Sequence, residues 1–324
     1  MAALVGIARI AAESPTLEAK SRVEYFELRA RKLLARCDSP RMPFRWSINP
    51  YRGCEFGCKY CYARYTHEFM ELRAPGDFEN KIFAKHFDPG MFSKELRALP
   101  EGETIAIGSA TDPYQPAERR LGITRSILEV FAQTKGLRLG LITKSDLITR
   151  DIELYQEIAR RHYLTLVVTV TTLDPALARL LEPLAPRPDL RLHAIRKLSA
   201  AGLRVSVNCC PILPLINDRE DSMDAVAHAA ANAGAVRIGA NVVYLKDCAR
   251  KVFLPFVDQQ FPQFSRRYHE RFSQHAYLSG AYPKQIAERL NRIRRRYALD
   301  APDVRPVPEL WPVPPAAQMA LFSD

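Results

Sequence analysis

The sequence predicts an α/β protein in which a parallel sheet is joined by helical crossovers. Three observations lead to it. Short apolar runs of strand length recur at 44–48, 104–109, 137–143, 164–171, 203–210 and 236–245. Stretches with helical periodicity separate them from the second run onward, the pattern of a parallel sheet rather than of hairpins. The chain has 324 residues and is 47% hydrophobic, enough apolar material for one large core. Counting alone leaves open whether six such strands curl into a barrel or lie in an open, doubly wound sheet.

Taken in order, residues 1–43 read as a basic lead-in. A short helix is expected over 24–36, with Tyr25, Leu28, Leu33 and Leu34 on its apolar side and Asp38-Ser39-Pro40 as its stop. Arg29, Arg31, Lys32, Arg36 and Arg41 make the stretch positive, as a polyanion contact or a solvated face would be. The core is expected over 44–245. Within it, Pro75-Gly76-Asp77 marks a turn and a helix follows at 92–99. Further helices are expected at 118–134, 150–161, 175–181, 191–201 and 221–233. A helical extension over 246–299 begins with the aromatic stretch 253–264. It ends in a helix at 282–297, where Arg289, Arg292, Arg294, Arg295 and Arg296 crowd together. From 300 to 324 the chain is a tail rich in proline (Pro302, Pro306, Pro308, Pro312, Pro314 and Pro315). It cannot build a core and is expected to be extended and mobile.

The formal net charge of +11 favours polyanionic partners, nucleic acid among them. No run approaches the length of a membrane span, and residues 1–15 lack the basic start and apolar stretch of a signal peptide. Seven cysteines without such a signal point to the reducing cytoplasm and to metal or redox chemistry rather than disulfides.

Three of those cysteines carry the chemistry. In Asn49-Pro-Tyr-Arg-Gly-Cys-Glu-Phe-Gly-Cys-Lys-Tyr-Cys-Tyr-Ala-Arg64, Cys54, Cys58 and Cys61 stand in the spacing C-x3-C-x2-C. A four-iron cluster takes four ligands, so three cysteines leave one iron open for a substrate or cofactor. Gly53 and Gly57 allow the backbone to wrap closely around it. A Cys3His zinc site completed by His67 is the alternative, although structural zinc prefers two close ligand pairs.

With this motif the sequence resembles the radical S-adenosylmethionine (SAM) superfamily. The resemblance implies a [4Fe-4S] cluster, SAM bound at the open iron, and a partial (β/α)6 barrel with the cysteine loop after its first strand. In that superfamily one electron from the cluster cleaves SAM to methionine and a 5'-deoxyadenosyl radical, so a reducing partner of flavodoxin or ferredoxin type is implied. Active sites of barrels lie at the C-terminal strand ends. There Ser109, Thr111 and Asp112 follow the second strand as expected holders of the SAM ammonium. Lys144 and Ser145 end the third. Thr169 and Thr171 lie on the fourth and Asn208 on the fifth, within reach of ribose or carboxylate; Ser206, Asn208 and Cys210 share a face that suits a wet lumen.

A closer resemblance is to the spore photoproduct lyase group. It is carried by the cysteine loop with Tyr60 and Tyr62, by Thr66-His67, Thr111-Asp-Pro-Tyr-Gln-Pro116, Thr143-Lys-Ser145 and Arg150-Asp151, and by Glu182-Pro183 with Arg191. It implies DNA as substrate, lyase-like repair chemistry, and catalytic roles for Tyr60 and Tyr62. The thiol hydrogen donor of that group is absent from Gly108-Ser109-Ala110, which leaves Cys210 or Cys248 as a substitute. Two other readings stay open: radical chemistry on a protein or small molecule, and a structural iron–sulfur or zinc protein that binds nucleic acid. Gln318, Met319, Leu321 and Phe322 resemble the peptide with which bacterial repair and replication proteins bind the sliding clamp.

Overall fold

The computed structural model describes residues 4–20, 22–40, 42–74, 76–300 and 307–312. Arg41, Pro75, Pro302, Pro306, Pro314, Pro315 and the terminal Gln318, Met319, Leu321 and Phe322 lie outside the described residues. The strands, in chain order, are β1 (Thr16–Lys20), β2 (Val23–Leu28), β3 (Leu34–Arg36), β4 (Trp46–Ile48), β5 (Tyr51–Arg52), β6 (Lys81–Lys85), β7 (Thr104–Ile107), β8 (Arg138–Thr143), β9 (Tyr163–Thr169), β10 (Val205–Asn208) and β11 (Arg237–Gly239).

The larger sheet has the order β11-β10-β9-β8-β7-β4-β3. β4, β7, β8, β9, β10 and β11 pair in parallel, each with the next in the chain, and β3 adds an antiparallel edge on β4. These six parallel strands are the six expected from the sequence. A doubly wound sheet reverses its strand order at a switch point. Here spatial order follows chain order without reversal, which is the winding of a barrel. Among the described residues β11 does not pair back onto β4, so the barrel is partial.

The register fixes what each face carries. Ile48, Ile107, Leu141 and Leu166 share one face with Val207 and Ile238 across the paired strands, and all are buried. They pack under helices at Ile123–Phe131, Ile152–Arg161, Pro188–Ala200 and Glu220–Asn232, with Phe131, Ile158, Leu198 and Val226 in the same core. The opposite face carries Gly140, Ile142, Val167, Ser206 and Asn208, all only half-buried. A strand that buries one face and leaves the other polar reads as a run broken by small or hydroxyl residues. That is how the lumen is written into Ser206 and Asn208.

Two expectations are corrected. The stretch 24–36 is not a helix. It forms β2 and β3, because Val23, Tyr25 and Phe26 favour the strand and Tyr25 and Leu28 bury on the sheet. β2 lies between β1 and β6 in a second sheet, order β1-β2-β6-β5. So the lead-in is built into the molecule, and β5 of that sheet runs directly into the cysteine loop. The second correction is at 307–312, expected to be mobile. The Leu310 amide donates to the Arg160 carbonyl at 2.7 Å, and Glu309 pairs with Arg160. Trp311 meets Tyr163 edge-on, 4.6 Å between ring centres, with Arg138 stacked on the same tyrosine. Proline stiffens this strap and aromatic contact anchors it at the N-terminal ends of β8 and β9, opposite the cysteine loop.

The aromatic stretch after β11 forms helices Asp247–Gln260 and Pro262–Phe272, which precede the expected last helix, Ala281–Arg296. That helix is held by its arginines. The Arg289 side chain reaches the Asp218 carbonyl and Glu220, Arg292 pairs with Glu220, and Arg296 pairs with Asp224. Much of its positive charge is therefore neutralised at a helix–helix contact.

Candidate active site

The cysteine loop lies between β5 and a short turn at Tyr62–Arg64, at the C-terminal end of the parallel strands. Its path needs both glycines. Gly53 has φ +85 and a Cβ there would meet the Lys81 and Phe78 carbonyl oxygens at 2.8 Å; Gly57 has φ +64. The loop is tied down through its backbone. Cys54 N–H donates to the Phe78 carbonyl at 2.9 Å, and Lys59 N–H donates to Leu181 at the same distance. Cys54 and Cys58 are buried, Cys61 is half-buried, and none is in a disulfide.

Burial pushes the Cys58 thiol up to about 12, with Lys144 pulling the other way. It also raises Cys61, against Arg64. Cations facing thiols suit a thiolate-ligated, negatively charged group. His67 does not fit a zinc site. Its Nε2 bonds to the Lys81 carbonyl at 2.9 Å, its ring packs edge-on against Phe78 and Phe83, and burial lowers its pKa to about 4. Three soft sulfur ligands on one glycine-kinked loop, beside cations, fit an iron–sulfur cluster.

The turn after β7 braces that loop. Thr111 donates its hydroxyl to the Gly53 carbonyl at 2.6 Å. Gln115 donates Nε2–H to the same carbonyl and accepts the Glu55 N–H at 3.0 Å. Asp112 is buried and accepts three bonds, from Thr143 Oγ1 at 2.6 Å, Lys144 N at 2.7 Å and Tyr114 N at 2.9 Å. Burial still holds its pKa above the usual carboxylate value. Asp112 thus closes an Asx turn and links the ends of β7 and β8. The Ser109 hydroxyl accepts from Asn49 at 3.2 Å, and the Ser109 carbonyl accepts from the Tyr62 hydroxyl. Ser145 is a cap, accepting Leu147 N–H at 3.3 Å.

Behind Cys58 lies a buried charge network. Glu182 and Arg191 pair at 2.5 Å, both about 1% exposed. Glu182 also accepts from the Tyr60 hydroxyl and from Thr171 at 2.7 Å. Arg191 donates to the Thr169 carbonyl at 3.1 Å. Burial pushes the Glu182 carboxyl up, but Arg191 and Lys144 outweigh it and hold it below its usual value. Burial and Glu182 keep Tyr60 a neutral phenol. Lys144 extends on the lumen side, its Nζ 5.8 Å from the Tyr60 ring centre. Burial would discharge it, yet Cys58, Glu182 and Asp112 keep it protonated.

The structure therefore brings Cys54, Cys58, Cys61, Tyr60, Asp112, Lys144 and Thr171 together at the same strand ends. Thr169 and Asn208 share the lumen face by register, and Cys210 follows them in the same alternation, its sulfur accepting the Asn241 N–H at 2.9 Å. Of the expected cofactor holders, Thr111, Asp112 and Ser145 make the protein–protein bonds described above. Sequence reasoning named Gln115, Glu182 and Arg191 only as carriers of the lyase-group resemblance and gave no role to them or to Glu55. The signal for the pair was that resemblance alone, since charge at those places otherwise reads as surface.

A pocket of about 440 Å³ opens beside Phe56 of the loop, lined by Tyr114, Ser145, Asp146 and three arginines, Arg119, Arg179 and Arg187.

The profile of the Radical SAM superfamily matches residues 48–226, which span β4 to the helix before β11. The chain belongs to the radical SAM superfamily. An uncharacterized protein of Mycobacterium tuberculosis is 34% identical over 268 residues, covering 82% of this chain and 78% of that one. An uncharacterized protein of Methanocaldococcus jannaschii is 27% identical over 201 residues, 62% of this chain and 72% of the other. Among solved structures, a tyrosine variant of spore photoproduct lyase superposes with TM-score 0.63 at 15% identity, over 84% of this chain and 79% of the lyase. The lyase complexed with a dinucleoside spore photoproduct gives 0.61 at 14%, with the same coverage. At such identity the likeness is one of fold. No helix among the described residues is long and apolar enough to cross a membrane.

Proposed function

We propose that this chain is a radical SAM enzyme of the cytoplasm. It binds one [4Fe-4S] cluster through Cys54, Cys58 and Cys61 and acts on DNA with repair-like, lyase-type chemistry. The observation that carries the reading is the loop itself: three cysteines at C-x3-C-x2-C on a glycine-kinked turn, facing Lys144 at the strand ends. The bound cluster, reduced by a flavodoxin or ferredoxin, supplies the electron that cleaves SAM to methionine and a 5'-deoxyadenosyl radical. This chain's residues hold and shield. The Lys144 ammonium is the cation for the SAM carboxylate. Thr169, Thr171 and Asn208 offer hydroxyl and amide groups toward its ribose. Ser109, Thr111, Asp112 and Ser145 keep the two strand-end turns in shape and present their remaining lone pairs to the SAM ammonium. Tyr60 is held neutral by Glu182, ready to pass a hydrogen onward, and Tyr62 sits next to Cys61 at the rim. Cys210 would give its S–H hydrogen to a substrate radical, and the reductant must then return one electron, with one proton, to the sulfur.

DNA is favoured by the net charge of +11, by the arginine-lined pocket beside Phe56, and by the lyase-like fold. A bacterial sliding clamp is the proposed partner of Gln318, Met319, Leu321 and Phe322. A peptide covering residues 318–324 should bind a clamp in the micromolar range and lose that binding when Leu321 and Phe322 become Ala. The enzymatic reading is tested by adding ultraviolet-damaged and undamaged DNA to the reconstituted protein with SAM and dithionite. Faster 5'-deoxyadenosine formation with damaged DNA supports it. Equal rates with every DNA, alongside stimulation by a peptide mixture, would move the substrate to protein.

A further inference from the structure

Five aromatic rings form a chain of contacts from Phe69, past the cysteine loop, to Tyr277 before the last helix. Phe69 meets Tyr65 at 5.7 Å between ring centres, Tyr65 meets Tyr62 at 6.5 Å, Tyr62 meets Tyr244 at 6.0 Å, and Tyr244 stacks on Tyr277 at 4.3 Å. Phe69, Tyr62 and Tyr277 are 59%, 41% and 49% exposed. A core cluster would bury such rings, and a row of them at the surface marks a binding face. The row is also cationic. Lys246 Nζ lies 4.0 Å from the Tyr65 ring centre, and the Arg52 charge acts on the same tyrosine. Glu68, beside Cys248, is the acidic group close by. Tyr62, the middle ring, directly follows Cys61 and bonds to Ser109 at the end of β7, so the row passes the candidate active site at its centre.

We propose that this row is a stacking platform for single-stranded or locally unpaired nucleic acid, which it leads to the cysteine loop. The proposal rests on the nucleic-acid reading above and specifies the form of the substrate. Aromatic faces interleaved with cations bind nucleobases and phosphates together and need no particular sequence. In a duplex the base faces are covered by their neighbours, so only an unstacked strand can use the row. An extended chain laid along it meets several rings in succession, while Lys246 and Arg52 meet its phosphates. The net charge of +11 favours this polyanion over a peptide.

The test measures fluorescence anisotropy of a labelled oligothymidylate of about 12 nucleotides, and of the same strand in a duplex, with the reconstituted holoprotein at fixed salt. Phe69→Ala and Tyr277→Ala are compared with the parent. Neither residue belongs to the proposed cofactor or catalytic set. The single strand should bind more tightly than the duplex. Each variant should weaken it about five-fold or more, with iron content and substrate-free SAM cleavage unchanged. Unchanged single-strand affinity in both variants, or a preference for the duplex, overturns the platform and leaves the DNA reading standing. No binding of either DNA form by a holoprotein that still cleaves SAM overturns both.

Discussion

Glu182 and Arg191 illustrate how much of this site is made by residues that never need to touch a ligand. Their pair is buried, so removing one charge leaves the other uncompensated. Glu182→Gln should lower stability by about 3–5 kcal/mol in urea unfolding of the apoprotein, and it should free the Tyr60 hydroxyl. Asp112 is comparable: Asp112→Ala strips acceptors from three buried donors. The expected loss is at least about 2 kcal/mol, together with weaker SAM binding as Lys144 loses its backbone anchor. A stable Asp112→Ala protein with unchanged SAM affinity would contradict the bracing role. His162 supplies a pH signature away from the cysteine loop. Its Nε2–H donates to the Phe131 carbonyl at 2.9 Å and its Nδ1 accepts Leu137 N–H at 3.2 Å, so the neutral ring is fully used. Burial lowers its pKa from 6.5 to about 4. Stability from this group is present above pH 6.5 and is lost as pH falls toward 4, because the unfolded chain takes the proton first. Wild type should lose roughly 3 kcal/mol more than His162→Gln across that window.

At the scale of elements, the lead-in strand and the terminal strap work at opposite ends of the barrel. β2 carries Tyr25, whose hydroxyl donates to Glu55 of the cysteine loop at 2.8 Å, while the other Glu55 oxygen accepts Ala117 N–H at 2.7 Å. Tyr25→Phe removes a bond to a buried carboxylate worth about 1.5–3 kcal/mol. It should speed iron loss to a chelator more than it lowers the unfolding midpoint. The strap at 307–312 gives the reverse pattern. Trp311→Ala should cost about 1–2 kcal/mol of stability and leave SAM cleavage per iron unchanged, since its contacts are at the N-terminal ends of β8 and β9. A Trp311→Ala protein with full stability would mean the strap only rests on the surface.

For the whole molecule, the parallel sheet was legible because its strands are apolar runs punctuated by turn residues, and burial against helices requires that pattern. The cysteine loop was legible because metal ligation fixes residue type and spacing. What was not legible depends on partners distant in sequence. Residues 24–36 carry enough arginine to mimic a basic helix, and only pairing with β6 and β4 makes them strands. The bracing role of Asp112 could not be read because two of its three donors, Thr143 and Lys144, come from the end of β8. The Asp218 carbonyl and the Glu220 and Asp224 carboxylates, to which Arg289, Arg292 and Arg296 of the last helix bond, lie 71 or 72 residues away in sequence and could not be read from it. Near the cysteine loop Lys246 stacks on Tyr65, and Arg119, Arg179 and Arg187 line the pocket beside Phe56, Arg187 being paired with Asp189. The central claim is that this fold exists to hold a cluster that cleaves SAM. Its most direct test is anaerobic reconstitution with iron and sulfide, reduction by dithionite and addition of SAM, in wild type and in single Cys54→Ala, Cys58→Ala and Cys61→Ala variants. The account predicts about four irons per chain and 5'-deoxyadenosine from wild type, with both lost in each variant; stoichiometric zinc and no iron-dependent SAM cleavage would contradict it.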